Sequence, residues 1–464
     1  MDIREAIRNH GDVAMAITKR ILQHDKAKAS NVVISPLSIY VLLSLVAAGS
    51  KGPPLDQLLS FLKSNSIDNL NAFASHIIDK VFADASSCGG PRLAFANGVW
   101  IDQSLPLKPS FQQVVNKYYK AMLRQVNFEQ ADEVISEVNS WVERNTYGLI
   151  KEILPAGSVG SSTQLILANA LYFKAAWQQE FDASKTVKRD FYLVDGSSVE
   201  APFMSGEKDQ YVAVFDGFKV LALPYSQGPD PRRFSMYFFL PDRKDGLGSL
   251  IEKLDSEPGF IDRHIPREKR ELWGFMIPKF KISFGIEVSN VLKKLGLVLP
   301  FTEGGLLGMV ESPMAQNLHV SKVFHKAFIE VNEEGTEAAA SSALTIRRVS
   351  MPINTINFIA DHPFLYLIRE DKSGTLLFIG QKPCRRGHDH HQAASPKRRQ
   401  ELQRCVFAIV DPCFAQPYQL LSFLKYNSID QLNHFTFQIA SMVLADGSLS
   451  GGPRLSFANG AWVG

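Results

Sequence analysis

Cysteine is scarce in this chain. Four occur in 464 residues (Cys88, Cys384, Cys405 and Cys413), none in a CxxC spacing, which excludes a disulfide-stapled scaffold and a thiol redox motif. Net charge is nearly absent as well. Residues 1–383 carry 42 basic and 42 acidic groups and residues 384–464 carry 8 and 5, so the formal +3 belongs to the end of the chain. The large N-terminal part lacks the charge footprint of a nucleic-acid binder. No long unbroken apolar run exists. The most apolar window, Val32 to Ala48, is interrupted by Ser35, Pro36, Ser38 and Ser44, and reads as a buried segment rather than a membrane span. The first 22 residues are charged and show no apolar core followed by a small-residue cleavage site, and no Asn-x-Ser/Thr acceptor occurs. The expectation is a protein without a signal peptide and without membrane attachment, in the cytoplasm or shared between nucleus and cytoplasm; release to the extracellular side is compatible with it.

Catalytic signatures are missing too. There is no HExxH, GxSxG elbow, GxxxxGK[ST] phosphate loop, GxGxxG after a strand or acidic calcium loop. Glycines 304, 305 and 308 after Pro300 read as a turn. His388, His390 and His391 stand in a basic tract without spaced Cys or carboxylate ligands, and read as a surface tract rather than a metal site. The chain is expected not to be an enzyme, with no cofactor and no metal.

What is present is a globular composition, 45% hydrophobic and 21% charged, over a length that suits two or three domains or one large one. Helical periodicity marks Asp12 to Leu22, the all-round apolar Ser38 to Ala48, Phe111 to Met122, Ala131 to Thr146 and Val288 to Leu295. Runs rich in β-branched and aromatic residues mark strands at Arg92 to Ile101, Gln164 to Phe173, Phe234 to Leu240, Trp273 to Ser283, Ala327 to Val331, Phe364 to Ile368 and Leu376 to Ile379. Their irregular alternation argues against a βαβ repeat and for an α+β domain with large sheets.

Composition changes after Pro383. Residues 384–404 are basic, His-rich and nearly without large apolar side chains, as a solvated linker is. Residues 405–464 contain an internal repeat: Gln57 to Ile101 aligns without a gap on Gln419 to Val463, with 29 of 45 positions identical. This copy ends just after its strand, so independent folding is not expected, and a duplicated fragment is the plainer reading.

One segment lacks both helix and strand period. Glu333 to Ser342, EEGTEAAASS, places a glycine before a run of small side chains, and the aperiodic stretch continues to Asn357 between two strand patterns. A flexible linker or a short alanine-rich helix would be the bland account; a loop longer than about 15 residues between strands usually carries function. In extended conformation Thr336, Ala338, Ala340 and Ser342 share one face, all small enough to slide beneath other layers.

The chain resembles the serpin family, and most closely its plant Z-type members, over residues 1–383. The resemblance is carried by NVVISPLSIYVLLSLVAAGSKG (31–52), LANALYFKAAW (167–177), PKFKISFGIEVSNVLKKLGL (278–297), VFHKAFIEVNEEGTEAAA (323–340) and ADHPFLYLIRED (360–371). It implies a serpin fold of three β-sheets with eight or nine helices and an exposed reactive loop from about Glu333 to Asn357. It assigns Ser35, Ser38, Asn169 and His325 to a shutter, a polar cluster beneath the central sheet. It assigns Trp177, Lys279 and Glu333 to a breach, where the loop first enters that sheet, and Glu333, Glu334, Gly335, Thr336, Glu337, Ala338, Ala339 and Ala340 to the hinge. As purely structural residues, Ser38 would start a helix and Trp177 would be a core aromatic. Ala175 stands where the family usually has glycine, and Pro53 with Pro54 stand at the usual start of the next helix; local adjustments are expected from either.

The function so implied is a one-use trap. A protease attacks the loop, forms an acyl-enzyme, and is held covalently as the loop enters the central sheet. Inhibitory relatives keep seventeen residues from the hinge glutamate to the residue donating the scissile carbonyl, which places the bond at Val349-Ser350, with Arg348-Val349 as the alternative. Partners would be serine or cysteine endopeptidases, elastase-like or arginine-specific, met by a monomer. A non-inhibitory serpin with a storage or binding role, or a non-functional fusion product, is the competing reading.

Overall fold

The computed structural model describes residues 2–24, 27, 30–311, 316–336 and 356–383. Helix α1 (Ile3–Leu22) is longer than its apolar period suggests, because Asp2 caps it by accepting from the Arg4 amide and the charged first turns continue the same helix. Helix α2 (Pro36–Ala48) has Ser35 as its cap and Pro36 in the first turn, where a missing N–H is harmless. All of its residues but Ala48 are buried, and it touches strands of both sheets. Pro53 and Pro54 occupy the first turn of the helix Pro53–Phe61 and so fit it.

Strands are numbered in chain order. One sheet runs β11 (Phe280–Glu287), β12 (Lys322–Val331), β4 (Leu165–Ala176), β2 (Arg92–Asp102) and β3 (Met122–Val126). β4 and β12 are parallel neighbours from Ile166↔Lys322 to Tyr172↔Phe328. Beyond Tyr172 a sixth strand, β13 (Gly335–Thr336), pairs antiparallel with the end of β4. The other network runs β1 (Val32–Ile34), β16 (Thr375–Lys382), β15 (Phe364–Glu370), β9 (Phe234–Pro241), β8 (Phe218–Pro224), β7 (Asp209–Phe215) and β10 (Lys269–Pro278), then β6 (Ser198–Met204) and β5 (Val187–Tyr192), with β14 (Ile356–Ile359) also on β10. The expected three sheets thus appear as two hydrogen-bonded networks, because β10 is shared: its start pairs with β7 and its end with β6.

Two local expectations need correction. Trp273 to Ser283 is two strands, since the chain breaks at Lys279, whose amide donates to Pro202 O while its side chain serves the site below. Phe111 to Met122 is a helix only to Val114; a wider helical turn follows, and Lys120, at φ 46°, turns the chain into β3. Residues 337–355, the linker 384–404 and the repeat copy at 405–464 lie outside the described residues.

Candidate functional site

Two polar clusters sit on the β11–β12–β4–β2 sheet. In the first, register aligns Asn97 of β2, Asn169 of β4 and His325 of β12 at one level. His325 Nε2 accepts from the Ser35 amide at 3.0 Å, which leaves its proton on Nδ1 to donate to Asn169 Oδ1 at 2.8 Å. Ser38 Oγ donates to the same Oδ1 at 2.6 Å, and Asn169 Nδ2 donates to Asn97 Oδ1 at 2.5 Å. Four elements are thereby tied through one amide: the start of α2 and the strands β2, β4 and β12. Ser35, Ser38, Asn169 and His325 lie together in this cluster, and it is Ser35 rather than Ser38 that caps the helix. Asn97 is the member the sequence reading missed. Its signal is the FANG motif repeated in the tail, where an asparagine recurs inside an apolar run. Gly98 beside it leaves room for the ring of Trp100, 2.3 Å from where a Cβ would lie.

Burial drives the His325 imidazole down to about 3 from its usual 6.5, and His10, between the rings of Tyr40 and Phe73 with Nε2 unpartnered, is driven to about 3 by burial as well. A folded-state pKa below the unfolded one means that the unfolded chain takes up the proton first as pH falls. The stabilisation is complete above about pH 6.5 and declines by about 1.4 kcal/mol per pH unit for each histidine on the way down. Melting temperature is therefore expected to drop between pH 7.5 and 5, and to drop less steeply in His10→Phe, which keeps the aromatic contacts and has nothing to protonate. Equal slopes for the two proteins would refute this account.

The second cluster lies at the C-terminal end of β4. Trp177 stacks on Tyr225 with ring centroids 4.6 Å apart and an 11° interplanar angle. Its indole N–H donates to Asn332 O at 2.9 Å, and its amide donates to Glu334 O at 2.9 Å. The Phe181 amide donates to Glu333 O at 2.8 Å. Glu333 pairs with Lys279 Nζ at 2.5 Å and accepts from Thr186 Oγ1 at 2.7 Å. Burial alone would raise the Glu333 carboxyl, but these partners outweigh it and hold the group below its ordinary value. Lys279 pairs with Glu333, and Trp177 bonds to the neighbouring Asn332 and Glu334; Thr186, Tyr225 and Asn332 complete the cluster, and sequence reasoning did not single them out.

Asn332 makes the turn that leads from β12 into β13. Its side-chain oxygen accepts from the amides of Glu334 and Gly335, each at 3.1 Å, and its own amide donates to Gly335 O at 3.0 Å. Asn three residues before Gly is the local signal that could have found it. Gly335 then runs against β4 at φ 146°, where a Cβ would lie 2.2 Å from Ala175 O, so no other residue fits. Gly335 pairs with Ala176 and Thr336 with Ala175. Of the residues expected to form a hinge, Glu333, Glu334, Gly335 and Thr336 are described; Glu337 to Ala340, Arg348, Val349 and Ser350 lie outside the described residues. Among the described residues no group of side chains is arranged to hold a metal ion, and no helix is long and apolar enough to cross a membrane.

The family model described as Serpin (serine protease inhibitor) matches residues 8–383. Serpin-ZX of Arabidopsis thaliana is 55% identical over 386 residues, covering 82% of this chain and 98% of that protein. Serpin-Z2B of Triticum aestivum is 52% identical over 382 residues, covering 82% and 96%. The solved structure of Arabidopsis AtSerpin1 in its native stressed conformation is 53% identical, with a TM-score of 0.77 over 83% of this chain and 99% of that one.

Proposed function

The chain belongs to the serpin family, and from that premise we propose that it is a suicide-type protease inhibitor that offers residues 333–357 as bait and traps its target as an acyl-enzyme while the freed loop becomes a new strand. Serpins are protease inhibitors rather than catalysts, and the proposal gives this chain no catalytic residue. The observation that carries it is β13: the hinge already makes the first two antiparallel pairs with β4, at the place where β12 stops pairing. Each further ladder bond adds about 0.5 to 1.5 kcal/mol, and the small residues that follow Thr336 bring one charge, Glu337. A storage or binding role would not call for a hinge poised in this way.

Target choice follows from the loop sequence IRRVSM at 346–351. The count from Glu333 puts attack at Val349-Ser350, suited to an elastase-like pocket, and Arg348-Val349 suits a trypsin-like or arginine-specific cysteine protease. Incubation with trypsin, elastase and papain is expected to give a complex that survives denaturing electrophoresis with at least one of them. Mass spectrometry of the released C-terminal fragment should find it beginning at Ser350 or Val349. Clean cleavage without a complex would sink the trap, and a fragment starting before Arg347 or after Met351 would sink the assignment of the bond.

A further inference from the structure

Of the four tryptophans among the described residues, Trp100, Trp141 and Trp177 are buried, and Trp273 is 45% exposed. Its exposure is built into the sheet. β10 pairs parallel with β14 as Leu272↔Ile356 and then Gly274↔Asn357, so Trp273 is the extra residue of a bulge, and bulges re-aim side chains. Leu272 and Phe275 to either side are buried. The Leu272 amide donates to Lys208 O at 2.8 Å, which holds Lys208 alongside, and its ammonium sits 5.2 Å from the Trp273 ring centroid. A large aromatic ring is thus presented to solvent on a rigid strand, with a cation over it.

Chain continuity joins this patch to the reactive loop. β14 begins six residues after Ser350, a reach of at most about 20 Å. Protease–inhibitor contacts cover about 800 Å² per partner, and only the loop residues flanking the scissile bond can enter an enzyme cleft, so the remaining contact falls on surface beside the loop. An enzyme seated on the loop therefore extends over the strand that follows it. Resting on the inhibitor reading above, we propose that Trp273, with Lys208, is a secondary docking contact for the endopeptidase that attacks the loop, received by an apolar depression on the enzyme beside the cleft that takes the residues after the scissile bond.

The test compares the full chain with Trp273→Ala and Trp273→Phe. The readout is the second-order rate of loop attack by trypsin, elastase and papain, counting covalent complex and cleaved product together. Docking precedes their partition, so the rate remains informative if the loop is cut without trapping. For the fastest enzyme, Trp273→Ala should lower the rate about tenfold, as loss of a desolvated interface tryptophan does, and Trp273→Phe should restore most of it. Melting temperature and the ratio of complex to product should not move. Failure of the inhibitor reading would appear as product without complex. Equal rates for all three proteins with every enzyme, no attack on the wild-type loop by any of them, or a change in sedimentation that makes the occupant a second copy of this chain, would each overturn the docking contact.

Discussion

Thr336→Arg is expected to turn the protein from an inhibitor into a substrate while leaving the native fold in place. Thr336 is the second residue of β13, paired with the buried Ala175, and the proposed insertion would proceed through it. By the two-residue period of a strand it shares a face with Ala338, Ala340 and Ser342, the small side chains of the hinge. Arginine there forces a cation toward the sheet interior at the first step, at a cost of several kcal/mol, and each 1.4 kcal/mol is about tenfold in rate. Deacylation of the bound enzyme then outruns insertion. On a denaturing gel, cleaved product should replace the covalent complex, with cleavage at the same bond. Unchanged stoichiometry of trapping by the arginine variant would mean that the loop does not enter the sheet through this hinge.

The largest effect on stability is expected from Asn169→Ala. Its amide accepts from Ser38 and His325 and donates to Asn97 in a fully buried setting. Truncation strands three polar groups, each costing about 1 to 3 kcal/mol, so the loss should be on the order of 3 to 9 kcal/mol, with a fall in melting temperature of roughly 4 to 11 °C. Tyr147→Ala, at a residue 58% exposed, provides the surface comparison and should move little. A loss of under about 1 kcal/mol for Asn169→Ala would show that the cluster does not hold the strands together.

The apolar elements were legible in the sequence because their burial is local in character. α2 is apolar on every face, and β4, β9 and β15 are near-continuous apolar runs. The hairpin strands β5 to β8 were not legible: β5 is exposed at its first four residues, so no alternation marks it. The break at Lys279 was hidden for another reason, since a single residue divides two strands that belong to different networks. The grouping of Ser35, Ser38, Asn169 and His325 was suggested by family resemblance, whereas Asn97 needed the register. A polar residue within an apolar run has no evident purpose until the neighbouring strand places Asn169 beside it. The cluster around Trp177 divides in the same way. Trp177 and Asn332 lie far apart in sequence and meet only because β4 and β12 end side by side, while the turn at Asn332 was local and could have been read.

The two pairs made by β13 also act as a ruler. Gly335 lies opposite Ala176 and Thr336 opposite Ala175, so each further loop residue that adds to the strand meets the residue one earlier on β4. Continued in that register, Ser342 arrives opposite Asn169, and through the turn at Asn332 it comes level with His325 on the other side. If the loop inserts as proposed, it would bring its own hydroxyl to the hydrogen bond between Asn169 and His325, so that a polar contact broken there would be exchanged for a new one. Ile346 then reaches Leu165, the first residue of β4, ten steps and about 34 Å from Thr336. On the proposed insertion Val349 would stand three residues beyond the far edge of the sheet, and an enzyme bonded to its carbonyl would be carried to the opposite end of that sheet.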